Sequence, residues 1–361
     1  PYESPIAIPP GETIKDILKS ENMSQKELAA RMGSSPQEIS YLINGKRSIT
    51  GSTARKLEYV LGIRASFWIN IERDYQETKA RLKEKDRISE QEEKVKLYPY
   101  NELVKFGFLK QTQVKSERVE NLLNFFRVAD LNALENQVYS VAGAGMFRRS
   151  DKFELSPQKL AAWLRMGEIK SRDQKLNKVN RKLLRNYLPD IRSLTLKSPS
   201  DFIPRIQEIG IECGIDILFI REFKSFPVWG MTRRDRINPI VQVNLRNKTN
   251  DYFWFAVFHE IGHLLLHERE KFLISIDKHN INNKLEIEAN RFASSTLIPD
   301  EDYNDLISDR PFTEGKIIEF ADKIGIAPGI VVGRLAHDKK IYWGRFQELK
   351  TPYVWKDNNS Q

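Results

Sequence analysis

Apolar side chains recur at spacings of three and four residues along the first part of the chain, a pattern that predicts short amphipathic helices. After a Pro-rich arm from Pro1 to Gly11, the stretch Glu12 to Glu21 places Ile14, Ile17 and Leu18 on one face. Ser24, with Glu27 three residues on, reads as a capping box that opens a second helix through Met32. Gly33 breaks that helix, and Pro36 sits where a first helical turn tolerates proline. A third helix then buries Ile39, Leu42 and Ile43 before Asn44-Gly45 closes it. A fourth runs from Ser52 to Leu61 and stops at Gly62. A fifth starts near Ser66 and continues into the charged stretch Lys79 to Lys96, whose few apolar anchors suit a linker helix.

Helical spacing persists from Asn101 to about Leu196, as at Leu122, Leu123, Phe126 and Leu160, Trp163, Leu164, without recognisable chemistry. Gly143-Ala144-Gly145 is too short for a phosphate loop and reads as a turn. The character then changes. Ile215 to Ile220 and Ile240 to Leu245 are β-branched runs bounded by turn residues and read as strands, with Trp229 to Thr232 as a third. Helical patterns return over Asp251 to His267, Asn283 to Leu297, Thr313 to Ile324 and Gly329 to His337. The chain is therefore expected to be multidomain. It divides into an all-α domain over 1–78, a charged helical linker over 79–100 and a basic, mainly helical connector over 101–200. An α+β domain over 201–345 and a C-terminal tail over 346–361 complete it.

Bulk properties narrow the setting. No apolar stretch approaches the roughly 20 residues that span a bilayer, so no membrane partner is expected. No basic start followed by a short apolar core opens the chain, so no secretory signal is expected either. The single cysteine, Cys213, excludes an intrachain disulfide, fits a reducing cytoplasm and is expected to pack rather than react. The formal net charge is +9, and its distribution decides what it means. Residues 1–78 carry equal numbers of basic and acidic side chains, and residues 201–361 carry a slight acidic excess. All surplus positive charge lies between them, densest from Arg165 to Lys197, as a solvated helical surface or a surface for phosphate or an acidic partner.

Candidate chemistry is concentrated in one helix. Residues 253 to 267 are apolar on nearly every face, so this helix is expected inside its domain. An imidazole or carboxylate left unpaired there costs on the order of several kcal/mol. His259 and His263 lie one turn apart on one face and can converge on a single Zn²⁺. Glu260, beside them, is placed to take a proton from a metal-bound water and pass it to a leaving amine. Three of the chain's five histidines fall between 259 and 267, which favours a metal site over coincidence. His267 reads as a hydrogen-bonding or surface histidine rather than a ligand, and His279 and His337 are weaker still. A catalytic zinc takes three protein ligands and keeps one position open. The helix from Leu285 to Ala293 offers Glu286 and Glu288 as the third; they flank opposite sides of the Leu285, Ala289, Phe292, Ala293 face, so the helical wheel leaves both open.

In the N-terminal module, a helix, a turn at Gly33-Ser34-Ser35 and a second helix match the order of a DNA-binding helix-turn-helix, whose later helix enters the major groove. Its outer face carries Gln37, Ser40 and Tyr41, with Ser35 at its start, for base edges, while Gln25, Lys46 and Arg47 are placed for phosphates. The zero net charge of this module also suits an all-helical interaction domain.

Four ordered motifs give the C-terminal region a family likeness. Gly230 through Ile240-Val-Gln-Val-Asn244, the His259-Glu-Ile-Gly-His263 helix with His267, Glu288-Ala-Asn-Arg-Phe-Ala293 and Leu297-Ile-Pro299 resemble the ImmA/IrrE metallopeptidases over residues 205 to 340. That resemblance implies a zincin-like α+β fold holding Zn²⁺. The family is similar to gluzincins, in which the glutamate before the Ala of the second motif binds the metal, which implies Glu288 as third ligand with Glu286 in reserve. It implies a protein substrate as well, because members cut or inactivate a repressor carrying a helix-turn-helix. The strand Ile240 to Leu245 is expected to add such a substrate at a sheet edge.

The first module runs from Pro10-Gly-Glu12 through Ser24-Gln-Lys-Glu-Leu-Ala-Ala-Arg-Met-Gly33 and Ile43-Asn-Gly-Lys-Arg-Ser-Ile49 to Phe67-Trp68. It resembles a HigA-type antitoxin of the Xre class. That likeness implies homodimers on palindromic operator DNA, repression of the protein's own operon and neutralisation of a cognate toxin; the long extension is the chief departure. The expectation is a cytoplasmic DNA-binding regulator or antitoxin fused to a zinc-dependent endopeptidase. The alternative is an autorepressing antitoxin whose zinc domain is structural or sensing.

Overall fold

The computed structural model describes residues 4–134, 155–171, 175–234, 237–276 and 284–356. The turn expected at 143–145 and His279 lie outside the described residues. The chain forms two compact units, Pro1–Glu93 with Val114–Glu120, and Lys94–Gln113 with Asn121–Gln361. Among the described residues no helix is long and apolar enough to cross a membrane.

The first unit contains α1 (Pro10–Ser20), α2 (Gln25–Met32), α3 (Pro36–Ile43), α4 (Gly51–Leu61) and α5 (Ala65–Ser89). Their apolar stripes meet in one core around Ile14, Leu28, Ile39, Leu57 and Trp68. The Ser24 hydroxyl caps α2 by accepting from Glu27 N at 3.1 Å, but the Glu27 carboxylate turns to Arg31 at 2.6 Å. The complete capping box forms instead at the start of α3, between Ser35 and Glu38. Gly33, at φ 61°, takes the left-handed conformation that lets the chain turn sharply between α2 and α3. The expected boundary after residue 78 does not interrupt the backbone: α5 runs on to Ser89, so most of the charged stretch prolongs the module's last helix. Buried Glu72 fastens that helix by accepting from Ile49 N at 3.0 Å.

The second unit contains α6 (Tyr100–Lys105), the later part of α7 (Lys115–Phe126), α8 (Pro157–Ser171), α9 (Arg181–Ser193) and α10 (Pro199–Cys213). These lead into β1 (Asp216–Phe219), β2 (Val228–Arg233) and β3 (Ile240–Val243), then α11 (Asn250–Leu266) and β4 (Phe272–Ile276). The helices α12 (Lys284–Leu297), α13 (Asp300–Ser308), α14 (Glu314–Ile324) and α15 (Pro328–His337) follow. β4 and α13 lie outside the pattern read from the sequence. The sheet order is β1-β3-β2-β4, with β1 parallel to β3 and the other pairs antiparallel. This corrects the expectation for Ile240 to Leu245. β3 is bonded on both sides, so its backbone groups are already paired, and β4 is the edge next to β2.

α11 is buried on nearly all sides because the sheet, α12 and α15 enclose it, which matches its almost continuous apolar sequence. The basic connector is not a separate layer. Trp163 donates to Ile220 O at 3.3 Å and accepts at its own carbonyl from Gln242 Nε2 at 2.9 Å, locking α8 to the sheet. Several of its cations satisfy the carbonyls that helix ends leave open. Arg192 donates to Leu297 O at 2.9 Å and Ile324 O at 2.6 Å, at the ends of α12 and α14, and Arg185 donates to Leu265 O at 3.1 Å. The segment after residue 346 also joins the fold: Tyr353 packs on Phe202 and Phe253, and Lys350 pairs with Asp251 at 2.8 Å. Cys213 is buried, and burial pushes its thiol up to about 11, as suits a packing residue.

Candidate metal centre and helix-turn-helix face

Three fully buried polar side chains, His259, Glu260 and His263, follow one another near the C-terminal end of α11. One helical turn brings the two imidazoles edge to face, with ring centroids 4.5 Å apart. From α12, Glu286 reaches between them: His259 Nε2 lies 3.3 Å from Glu286 Oε2, and His263 Nε2 lies 3.2 Å from Oε1. Both approaches are off the line of a hydrogen bond, and the two Nε2 atoms are buried without a hydrogen-bond partner. Two orphaned imidazole nitrogens beside a carboxylate are costly as they stand and are a suitable donor set for a divalent cation. One ligand atom from each of the three residues lies within 4.8 Å of the others, so the group can hold a metal ion. Burial pushes the Glu286 carboxyl up, but the facing imidazoles outweigh it and bring it down to about 2, leaving a carboxylate.

The structure brings Glu286, and not Glu288, to the imidazoles. α12 turns Glu286, Ala289 and Ala293 inward, whereas the Glu288 side chain is 41% exposed and meets His267 Nε2 at 3.0 Å. Asn290, one turn after Glu286, lies with Oδ1 2.9 Å from His259 Nδ1, so each end of that imidazole is addressed by α12. His267 is buried, its Nδ1 is 2.9 Å from His263 Nδ1, and burial lowers its affinity for a second proton. Trp229 closes one side of the site with its ring edge-on to His259 at 4.6 Å.

Glu260 points to the sheet. Register places Ser275 opposite Gly230, with Thr232 two residues along the same strand face, so both hydroxyls converge on one carboxylate. Ser275 Oγ donates at 2.5 Å and Thr232 Oγ1 at 2.6 Å. Gly230 makes the space: a Cβ there would stand 2.2 Å from Glu260 Oε1. Burial pushes Glu260 up to about 7, against the opposing pull of His263 and the two hydroxyls. Sequence reasoning gave no role to Asn290, Thr232, Ser275 or Trp229. Asn290 carried a signal in its four-residue spacing from Glu286; the hydroxyls meet Glu260 through a strand pairing that the sequence does not mark.

In the first unit, Gln37 and Tyr41 lie one turn apart on the exposed face of α3, with Gln37 Nε2 donating to the Tyr41 hydroxyl at 2.9 Å. Lys46 is exposed, 6.0 Å from the centre of the Tyr41 ring. Arg47 pairs with Glu38 at 2.6 Å in solvent, where exchange for a phosphate costs little. Ser40 is half-buried and its Oγ accepts from Asn44 at 3.3 Å. Ser35 is committed to the capping box, and Gln25 is exposed at the first position of α2.

Comparison with known proteins bears on both units. Residues 14–68 match the helix-turn-helix family, and residues 212–335 match the IrrE N-terminal-like domain. An uncharacterised HTH-type transcriptional regulator of Escherichia coli (strain K12), YddM, is 35% identical over 63 residues, which span 18% of this chain and 67% of that protein. A solved addiction module antidote protein of a HigA family from Coxiella burnetii is 29% identical, covering 24% of this chain and 94% of that one at a TM-score of 0.22.

Proposed function

We propose that this chain, which belongs through its first module to the Xre-type helix-turn-helix regulators and carries an IrrE-like M78 peptidase domain in its second unit, is a DNA-binding regulator fused to a zinc-dependent endopeptidase. The observation that carries the peptidase half is the pair of buried, unpartnered Nε2 atoms facing the Glu286 carboxylate. Two imidazoles and one carboxylate would supply the three protein ligands that a catalytic zinc takes. When bound, zinc lowers the pKa of its water and polarises a peptide carbonyl. His259, His263 and Glu286 would hold the ion, and Asn290 would orient His259 by accepting a hydrogen bond from its Nδ1–H. Glu260 would take a proton and return it to the leaving amine, with Thr232 and Ser275 fixing its carboxylate. The substrate is a protein, in keeping with the repressors that the ImmA/IrrE resemblance implies, and the β4 edge offers backbone groups to an extended segment of it.

The test compares zinc-loaded wild type with Glu260→Gln in extracts of the native host, by profiling new protein N-termini. New termini with wild type alone are expected. Identical termini with both proteins, or none from a protein that holds zinc, contradict the peptidase reading and leave the ion a structural role.

The DNA half rests on the exposed Gln37, Tyr41 and Lys46 of the helix-turn-helix. In a gel-shift series on DNA flanking its gene, Gln37→Ala is expected to lose about 1–3 kcal/mol of preference for the specific site. Lys46→Ala is expected to weaken all sequences alike and flatten the salt dependence. No shift at low salt would discard the operator role.

A further inference from the structure

The hydrogen-bonded structure around His263 extends beyond the residues that face the metal position. α11 ends at Leu266, and His267 caps it with its N–H bonded to His263 O at 3.1 Å, which folds its ring back over the preceding turn. His263 Nδ1 then lies 2.9 Å from His267 Nδ1, and His267 Nε2 lies 3.0 Å from Glu288 Oε2. His263 is fully buried, His267 is 5% exposed, and Glu288 stands at the rim.

Hydrogen-bonding roles in this chain are forced by its last member. A carboxylate can only accept, so a neutral His267 must carry its proton on Nε2. Its Nδ1 is then a lone pair, and the proton in the contact between the two histidines must belong to His263 Nδ1. That leaves His263 Nε2 with its lone pair free, which is the form needed to bind a cation beside Glu286. We infer that Glu288 and His267 are positioning residues that act in series on His263, selecting its metal-binding tautomer from the surface inward. The inference rests on the proposed metal centre, and it gives Glu288 a role other than ligation. Asn290 does the same for His259 in a single step, so the two imidazoles are set by separate devices, both from α12.

The test uses the full chain and two readouts. The first is the zinc dissociation constant from chelator competition. Glu288→Leu and His267→Phe are each expected to weaken binding about 10–100-fold, as loss of an outer hydrogen-bond partner does. Glu288→Gln, whose amide oxygen still accepts from His267 Nε2, is expected to lose less than about tenfold, short of the cost of a lost outer partner. The second readout is the ¹⁵N shift pattern of the histidine rings in metal-stripped protein carrying Glu286→Ala, which reports the His263 tautomer with neither a metal nor a carboxylate facing its Nε2. In that background Glu288 and Glu288→Gln are expected to leave His263 protonated at Nδ1, and Glu288→Leu is expected to give a mixture.

Wild-type zinc affinity in both Glu288→Leu and His267→Phe would overturn the inference. So would a loss in Glu288→Gln as large as that in Glu286→Gln, which would make Glu288 a ligand. An Nε2-protonated His263 in the metal-stripped Glu286→Ala protein would overturn it as well. Failure of wild type to take up zinc, together with the Nδ1 tautomer in Glu286→Ala, would instead remove the metal centre and leave the relay intact.

Discussion

Replacing Glu260 by glutamine is expected to stabilise the metal-stripped protein above about pH 7 by about 3 kcal/mol, at the same time as it removes the proposed proton acceptor. The side chain is fully buried, and burial raises its carboxyl from 4.5 to about 7. Between those two values the folded state keeps a proton that the unfolded state has lost, so stability falls as pH rises through the window. The loss is complete above about pH 7, where the fold carries a buried carboxylate, and it vanishes below about pH 4.5. Glutamine has no charge to bury and can still meet the Thr232 and Ser275 hydroxyls. Glu286 works in the other sense: its folded value near 2 lies below 4.5, so its contribution is present above 4.5 and is lost as pH falls through about 2. The two windows do not overlap. Urea denaturation of chelator-treated wild type and Glu260→Gln is the measurement, with most of the gap at about pH 8 closing at about pH 5. A gap that is the same at both values would show that packing, and not the buried charge, separates the two proteins.

Glu286→Ala is expected to lower zinc affinity by more than about a hundredfold, beyond the 10–100-fold typical of an outer partner. The substitution removes one of three converging groups and the only negative one, leaving the His259 and His263 Nε2 atoms in a buried pocket with no carboxylate between them. Without metal the substitution also forfeits the stability that the Glu286 carboxylate contributes above about pH 4.5, while Ala289 and Ala293 still seat α12 against α11.

The resemblance implies Glu288, with Glu286 in reserve, and the fold turns Glu286 to the imidazoles of His259 and His263. Leu285 and Phe292 are the large apolar residues of α12, and a face drawn through them leaves Glu286 and Glu288 on equal terms. In the fold both are only partly buried, and the inward face is the small side of the helix, Ala289 and Ala293, with Leu297 beyond. Small residues mark the inner face because α12 packs closely on α11, where Gly262 leaves space for the Phe292 ring: a Cβ there would lie 2.9 Å from Cδ1. Glu286 lies on that face at three and seven residues from the two alanines. Nothing in a helical wheel announces how near a neighbouring helix will come.

Local signals fared better. The spacing of His259 and His263, the apolar surround of α11, the glycine at the α2–α3 turn and the limits of α1 to α4 follow from side-chain periodicity and capping, which act over a few residues. Non-local pairing was not legible. The short β4 strand, the interior position of β3 and the convergence of Thr232 and Ser275 on Glu260 depend on strands meeting across long stretches of chain. The basic stretch from Arg165 to Lys197 carried a clear compositional signal whose use was hidden: Arg185 and Arg192 spend their charge on the carbonyls of helix ends, and Arg165 is buried against Phe125 O at 2.6 Å.

Chelator competition on wild type, Glu286→Ala and Glu288→Ala tests whether His259, His263 and Glu286 hold zinc with Glu288 outside the ligand set. Wild type is expected to hold one equivalent of zinc, with a loss of more than about a hundredfold in Glu286→Ala and of about 10–100-fold in Glu288→Ala. A wild-type protein that holds no zinc, or a series in which Glu288→Ala loses more than Glu286→Ala, would contradict it.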